Sequence, residues 1–258
     1  MKKKILKKIF LFLINLLIKL SILLVFISIY LSFFEKELLK LWVGILKEFI
    51  LSLGMWNYPL AFFSSLIESF PVLGMALPSQ NILIAIAGFF GENNYLNLFF
   101  IILISTIGAI LGNFIGYFLG VKYGEEFIEK YGMWIGITGV EVKYLKKSLD
   151  KWGALGITLG KFHPMTRTFL PFVAGMSGMT NKKFAFYNIL GSFIWSFTMI
   201  VLGVLFAKYY EIIIDHSGKI MLLIMLITGL YIWKYKKPEF KKYMKEKNEE
   251  MERKFPSK

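Results

Sequence analysis

Two stretches of this chain carry no charge over bilayer-spanning lengths: 29 residues from Asn93 to Val121, and 24 from Phe184 to Ala207. A helix needs about 20 mostly apolar residues to cross a hydrocarbon core. Each stretch therefore reads as a clean transmembrane helix. The apolar character extends beyond them, since 56% of the 258 residues are hydrophobic and 26 are Phe. A soluble fold of this size cannot hide that much apolar surface in one core. The pattern predicts an all-α polytopic membrane protein and argues against a soluble enzyme.

The chain divides into three parts. Residues 1–48 hold a first apolar run, Ile9 to Phe34, preceded by five lysines in the first eight residues, and an amphipathic stretch from Glu35 to Glu48. No small-residue cleavage site follows that run, so it reads as a retained N-terminal transmembrane helix rather than a signal peptide. Residues 49–208 contain two interrupted apolar segments, about 56–91 and 152–179, each followed by one clean span. Residues 209–258 hold a shorter apolar segment, Ile220 to Trp233, read as a C-terminal transmembrane helix with a basic tail.

If the interrupted segments are re-entrant hairpins, the N-terminus, the 122–151 loop, Lys182-Lys183 and the tail share one side. That side then carries 23 basic residues and the other side five, leaving Lys19, Lys161 and Arg167 at membrane depth. Cytoplasmic flanks are enriched in Lys and Arg, so both termini are expected in the cytoplasm. A weak internal repeat agrees. Ile86-Ala87-Gly88-Phe89-Phe90-Gly91 recurs 87 residues on as Val173-Ala174-Gly175-Met176-Ser177-Gly178, and the same offset relates Gly116 to Gly203 and Gln80 to Arg167. The two copies enter from opposite faces in this topology. The expected fold is thus an inverted repeat of two re-entrant helical hairpins plus transmembrane helices, the arrangement in which transporters place a substrate site near the midplane.

The net charge of +14 belongs beside anionic lipid rather than nucleic acid. With no cysteine and only His163 and His216, neither a thiolate nucleophile nor a multi-histidine metal centre is expected, and no cofactor is implied. Charges inside apolar segments carry the functional signal, because each costs about 2.5–3.5 kcal/mol at mid-bilayer on insertion scales. These are Glu68, Lys161 and Arg167, accompanied by Ser79, Gln80, Asn81, Asn113, His163 and Thr166. Pro71 and Pro78 in the first segment, and Pro164 and Pro171 in the second, mark expected helix breaks lining a polar pocket. Against this stands a plainer reading, in which Glu68 and one cation form a buried pair holding the hairpins together. His163 is read as a hydrogen-bonding residue at a break in preference to a proton carrier. Gly108, Gly112, Gly116, Gly120 and Gly124 form a small-residue ladder for close packing, either within the chain or between protomers of a homo-oligomer.

The run Gly160-Lys161-Phe162-His163-Pro164-Met165-Thr166-Arg167-Thr168-Phe169-Leu170-Pro171, followed by Ala174-Gly175, Met179, Phe184, Asn188, Gly191 and Trp195, closely resembles the signature of the DedA family. Glu68, Leu77-Pro78-Ser79, Gly88, Gly108, Gly112, Tyr117 and Gly120 resemble its upstream pattern, so the likeness covers about residues 60–208. The resemblance implies a bacterial cytoplasmic-membrane protein with two facing re-entrant hairpins that moves lipid between leaflets, with undecaprenyl phosphate or a phospholipid as cargo. It also implies that Glu68 is the family's hairpin carboxylate and Arg167 its second arginine. Lys161 falls where most members have arginine, and Gln80 and Asn113 fall where many have acids. A proton relay through two carboxylates therefore does not transfer to this chain. Arg167 and Lys161 keep the cationic half of a site suited to a lipid phosphate. Two other readings remain: a proton-coupled exporter of small cations with Glu68 as the carrier, and an intramembrane lipid phosphatase lacking an evident nucleophile and base.

Overall fold

The computed structural model describes residues 35–71, 73–76, 79–91, 94–131 and 139–231, with isolated positions 23, 27, 30, 245, 246 and 249. Most of the N-terminal span expected over Ile9 to Phe34, the break at Pro78 and most of the basic tail lie outside them. The described elements are all helical: α1 (Lys36–Ser52), α2 (Asn57–Ser69), α3 (Leu73–Ala76), α4 (Ser79–Ala85), α5 (Tyr95–Tyr131), α6 (Gly139–Trp152), α7 (Leu155–Gly160), α8 (Pro164–Met176) and α9 (Asn181–Tyr231). A 3₁₀ turn joins α1 to α2, and a π-helical turn, Ile86–Phe90, extends α4. Among the described residues, two helices are long and apolar enough to cross a membrane, Tyr95–Gly124 and Asn181–Ile220.

Their polarity is turned inside out. Phe99, Phe118, Phe186 and Phe193 are exposed, whereas Ser105, Asn113, Asn188, Ser192 and Ser196 on the same helices are buried completely. Water would reject that distribution; a hydrocarbon solvent selects it, because polar side chains there must be satisfied from within the bundle.

Two helix–break–helix units pack against α5 and α9. In the first, α2 runs parallel to α5: Gly108 sits against Phe62 and Leu66, Gly112 against Leu66 and Ser69, and Gly116 against Pro71. The chain breaks at Phe70, whose extended backbone (φ −80°, ψ 134°) is what a following proline imposes, and returns through α3, α4 and the π turn. Tyr58, at the start of α2, donates a 2.8 Å hydrogen bond to Asn97 of α5, and Asn97 donates to the Phe90 carbonyl. Both ends of this unit thus lie at the start of α5. In the second unit, Thr158 of α7 donates to the Tyr187 carbonyl of α9, and the Tyr117 hydroxyl donates to the Met179 carbonyl just past α8. Its ends lie at the opposite end of α5, beside the start of α9. The glycine ladder is an internal seam: Gly108, Gly112 and Gly116 receive the first unit, and Gly120 receives Phe172 and Met176 of the second. Gly124 takes a positive φ of 50° and kinks α5.

Three expectations change. Pro164 starts α8 as a first-turn proline, but Pro171 lies inside that helix and does not break it. Its missing N–H forfeits one bond to the Arg167 carbonyl, while its ring packs near Gly116 and the flanking turns hold the helix. The amphipathic helix runs to Ser52, past the boundary expected at 48. The apolar segment from Ile220 is not a separate helix either, because α9 continues unbroken for 51 residues across position 208. Residues Lys208 to Ser217 contain neither glycine nor proline to stop it.

Candidate functional site

The tips of the two units meet between α5 and α9. Glu68 is in the last turn of α2, and Ser79 and Gln80 open α4. The Glu68 carboxylate accepts hydrogen bonds from the Ser79 hydroxyl and the Gln80 backbone N–H, and pairs with the Arg167 guanidinium. A carboxylate suits the start of a helix, where backbone N–H groups lack partners. At Gly74 a side chain would collide with Glu68 and Thr168, so α3 is pressed between the tips.

The second tip is built around the turn from α7 to α8. Lys161 follows Gly160, His163 is extended, and Pro164 begins α8 with Arg167 one turn in. The Arg167 Nη1 donates to Gln80 Oε1 at 2.7 Å while Nη2 meets Glu68. Its guanidinium lies 6.0 Å from the Trp195 ring, and its Nε–H is buried with no partner among the described residues. Gln80 also donates to the Met199 sulfur at 3.0 Å. Gln80 and Arg167, the pair related by the 87-residue offset, are thus bonded to each other. Gly88 and Gly203 likewise touch, while Gly175 meets Tyr117 beside Gly116.

Lys161 is buried too, at 2% exposure, with its stem laid along Gly191. Its ammonium donates to the Ser192 hydroxyl at 2.7 Å and feels the Arg167 charge, with no carboxylate acting on it among the described residues. Glu68 and Arg167 are 2% and 5% exposed, so the cluster is closed off and holds two cations against one acid.

Of the site residues expected from sequence, Glu68, Ser79, Gln80 and Arg167 form one bonded cluster, and Lys161 stands within its field. His163 and Thr166 do not join it. His163 is exposed, and its Nδ1 lies 3.1 Å from the Thr166 hydroxyl. Ser192 was missed, and Asn188 and Trp195 entered only through the family pattern. Their signal is a polar and aromatic stripe on α9, Asn188-Ser192-Trp195-Ser196-Met199, at helical spacing. Beside the tips, a groove of about 720 Å³ between α1, α2 and α4 is lined by apolar side chains such as Phe49, Leu60, Phe63 and Ile82, with Asn81 its one amide.

The VTT domain matches residues 77–205, which includes Gln80, Lys161 and Arg167 and leaves Glu68 just outside. An uncharacterized membrane protein, YbfM of Bacillus subtilis, is 33% identical over 132 residues, 51% of this chain and 81% of its own length. Protein DedA of Escherichia coli is 32% identical over 155 residues, 58% of this chain and 68% of its own. Undecaprenyl phosphate transporter A of Staphylococcus aureus is 26% identical over 195 residues, 72% of this chain and 92% of its own. No solved structure matches the chain.

Proposed function

The chain belongs to the DedA family of VTT-domain membrane proteins, and on that premise we propose that it moves a phosphate-bearing lipid between the two leaflets. The observation that carries this reading is a set of unused donors on two buried cations. Among the described residues, Arg167 keeps its Nε–H without a partner, and the Lys161 ammonium, which has three hydrogens to give, has one acceptor, Ser192. A buried donor left unmade is costly. A phosphate brought between the tips offers oxygens to both cations and cancels their excess over Glu68.

The transport cycle follows from the same groups. In the closed arrangement Glu68 occupies Arg167 as an internal counter-ion. Arriving lipid phosphate competes with Glu68 for the guanidinium, the tips part, and Glu68 stays held by Ser79 and the Gln80 N–H. We read the two units as inverted re-entrant hairpins, and their opening toward opposite ends of α5 supports that reading. The apolar groove beside Asn81 supports a lipid over a soluble anion, since a hydrocarbon chain can lie there while its phosphate reaches the tips. The name of the Staphylococcus aureus relative makes undecaprenyl phosphate the first cargo to test. A small-cation carrier fits less well, because Glu68 already faces a guanidinium.

The test is lipid-phosphate affinity and leaflet exchange in liposomes, measured beside thermal stability. Arg167→Lys keeps the charge and loses the planar fork. Losing one charge-assisted bond should weaken binding about tenfold to a hundredfold, with folding largely retained. If Arg167→Lys binds lipid phosphate normally and only stability falls, Arg167 is a structural residue and the site is wrong.

A further inference from the structure

The Lys161 head is held by a chain of neutral groups that runs from the second tip through α9 to α5. Lys161 donates to the Ser192 hydroxyl at 2.7 Å, and Ser192 donates to Asn188 Oδ1 at 3.2 Å. Asn113 of α5 donates to the same Asn188 oxygen at 2.7 Å, and the Asn188 amide donates to the Ile110 carbonyl at 3.1 Å. Asn113, Asn188 and Ser192 have no exposed surface, so water does not compete for these bonds. The direction of each bond is set by the last one. With its amide hydrogen given to Ile110, Asn188 turns its oxygen toward Ser192 and Asn113. The Ser192 proton is then committed to Asn188, and only its lone pairs face Lys161.

We propose that Ser192, Asn188 and Asn113 are positioning residues that fix the Lys161 ammonium with a neutral acceptor, which leaves its charge uncancelled for the phosphate. The inference rests on the lipid-phosphate reading and adds what makes Lys161 selective for an anion. A carboxylate in place of the Ser192 hydroxyl would hold the ammonium and cancel it. The neutral chain orients without cancelling. It also ties the second tip to both long helices, so Lys161 keeps its place when Arg167 exchanges Glu68 for lipid.

The experiment measures the affinity of the full chain in detergent for undecaprenyl phosphate, with phosphatidylethanolamine, whose headgroup is zwitterionic, as the comparison lipid. Ser192→Ala removes the acceptor and should weaken lipid-phosphate binding about tenfold, beside a fall in the thermal midpoint from the stranded Lys161 donor. Asn188→Asp keeps the side-chain shape and adds a negative charge. It should reduce lipid-phosphate binding more than phosphatidylethanolamine binding, a charge-dependent change that a packing role would not produce. The decisive comparison is made in a Lys161→Met background, where Ser192→Ala should have no further effect if it acts through Lys161. Equal losses with and without Lys161, or lipid-phosphate binding unchanged in Ser192→Ala, overturn the positioning role. If Lys161→Met itself leaves lipid-phosphate binding intact, the functional reading fails instead, so the two failures are distinguishable.

Discussion

Glu68 and Arg167 are nearly inaccessible and answer each other, so the consequence of losing one partner differs from that of losing both. Glu68→Ala leaves a buried guanidinium bonded, among the described residues, to the Gln80 amide alone, and breaking a buried pair in this way costs about 3–5 kcal/mol. The thermal midpoint in detergent should fall sharply. Replacing both charges, Glu68→Ala with Arg167→Met, should recover much of that loss, because neither charge is then stranded. A double variant no more stable than either single one would count against the pair as the tie between the tips. These two residues were legible in the sequence for the same reason that they matter: a charge in an apolar segment is too costly to be idle. Ser192 was not legible, because an isolated serine in an apolar span costs little and its partner lies 31 residues away. His163 and Thr166 follow the reading of His163 as a hydrogen-bonding residue at the break. They neighbour Arg167 in sequence, but the turn after Gly160 leaves His163 exposed, and the two side chains meet each other rather than the buried cluster.

At the scale of the helices, small residues and prolines decide where segments meet and turn. The glycine ladder on α5 was visible as a packing stripe, yet spacing alone left its partner open; the contacts identify it as the two tip-bearing units. A methyl group at Gly120 would collide with the Phe172 carbonyl and crowd the Met176 N–H. Overpacking of this kind costs about 1–3 kcal/mol. Gly44, in α1, has nothing within 4 Å of where a methyl would stand. Gly44→Ala should therefore stabilise by about 0.5–1 kcal/mol through helix propensity alone. Opposite shifts of the thermal midpoint for Gly120→Ala and Gly44→Ala are expected; a neutral Gly120→Ala would mean that the seam is loose. Pro71 and Pro171 show where reading prolines as breaks succeeds and fails. Pro71 is preceded by an extended residue and ends a helix, whereas Pro171 is flanked by buried Phe169, Leu170, Phe172 and Val173. Packing on both sides holds the helix across the missing bond.

For the molecule as a whole, the length of α9 bears on which side of the membrane each end occupies. A helix of 51 residues is about 76 Å long at 1.5 Å per residue, against a hydrocarbon core of about 30 Å. Most of α9 beyond one crossing must therefore run outside the apolar layer or along its surface. Hydropathy could not show this, because it scored Phe184 to Ala207 and Ile220 to Trp233 as separate segments and was blind to the helical link between them. Two observations favour the expectation that the tail returns to the side of α6. Cytoplasmic flanks attract Lys and Arg, and the tail from Lys234 onward holds ten of the 31 basic residues. Lys143 of α6 also lies 3.2 Å from Glu246 of the tail; such an exposed pair adds little energy, but it records proximity. The absence of native cysteine makes the test direct. Single cysteines at Ser148 and Ser257 should resist a membrane-impermeant thiol reagent added outside intact cells, while one at Ser217 should react. Labelling at Ser257 together with Ser217 would mean that α9 carries the tail to the outer face. Reaction at Ser148 with protection at Ser217 would invert the orientation, and with it the leaflet toward which each of the two units opens.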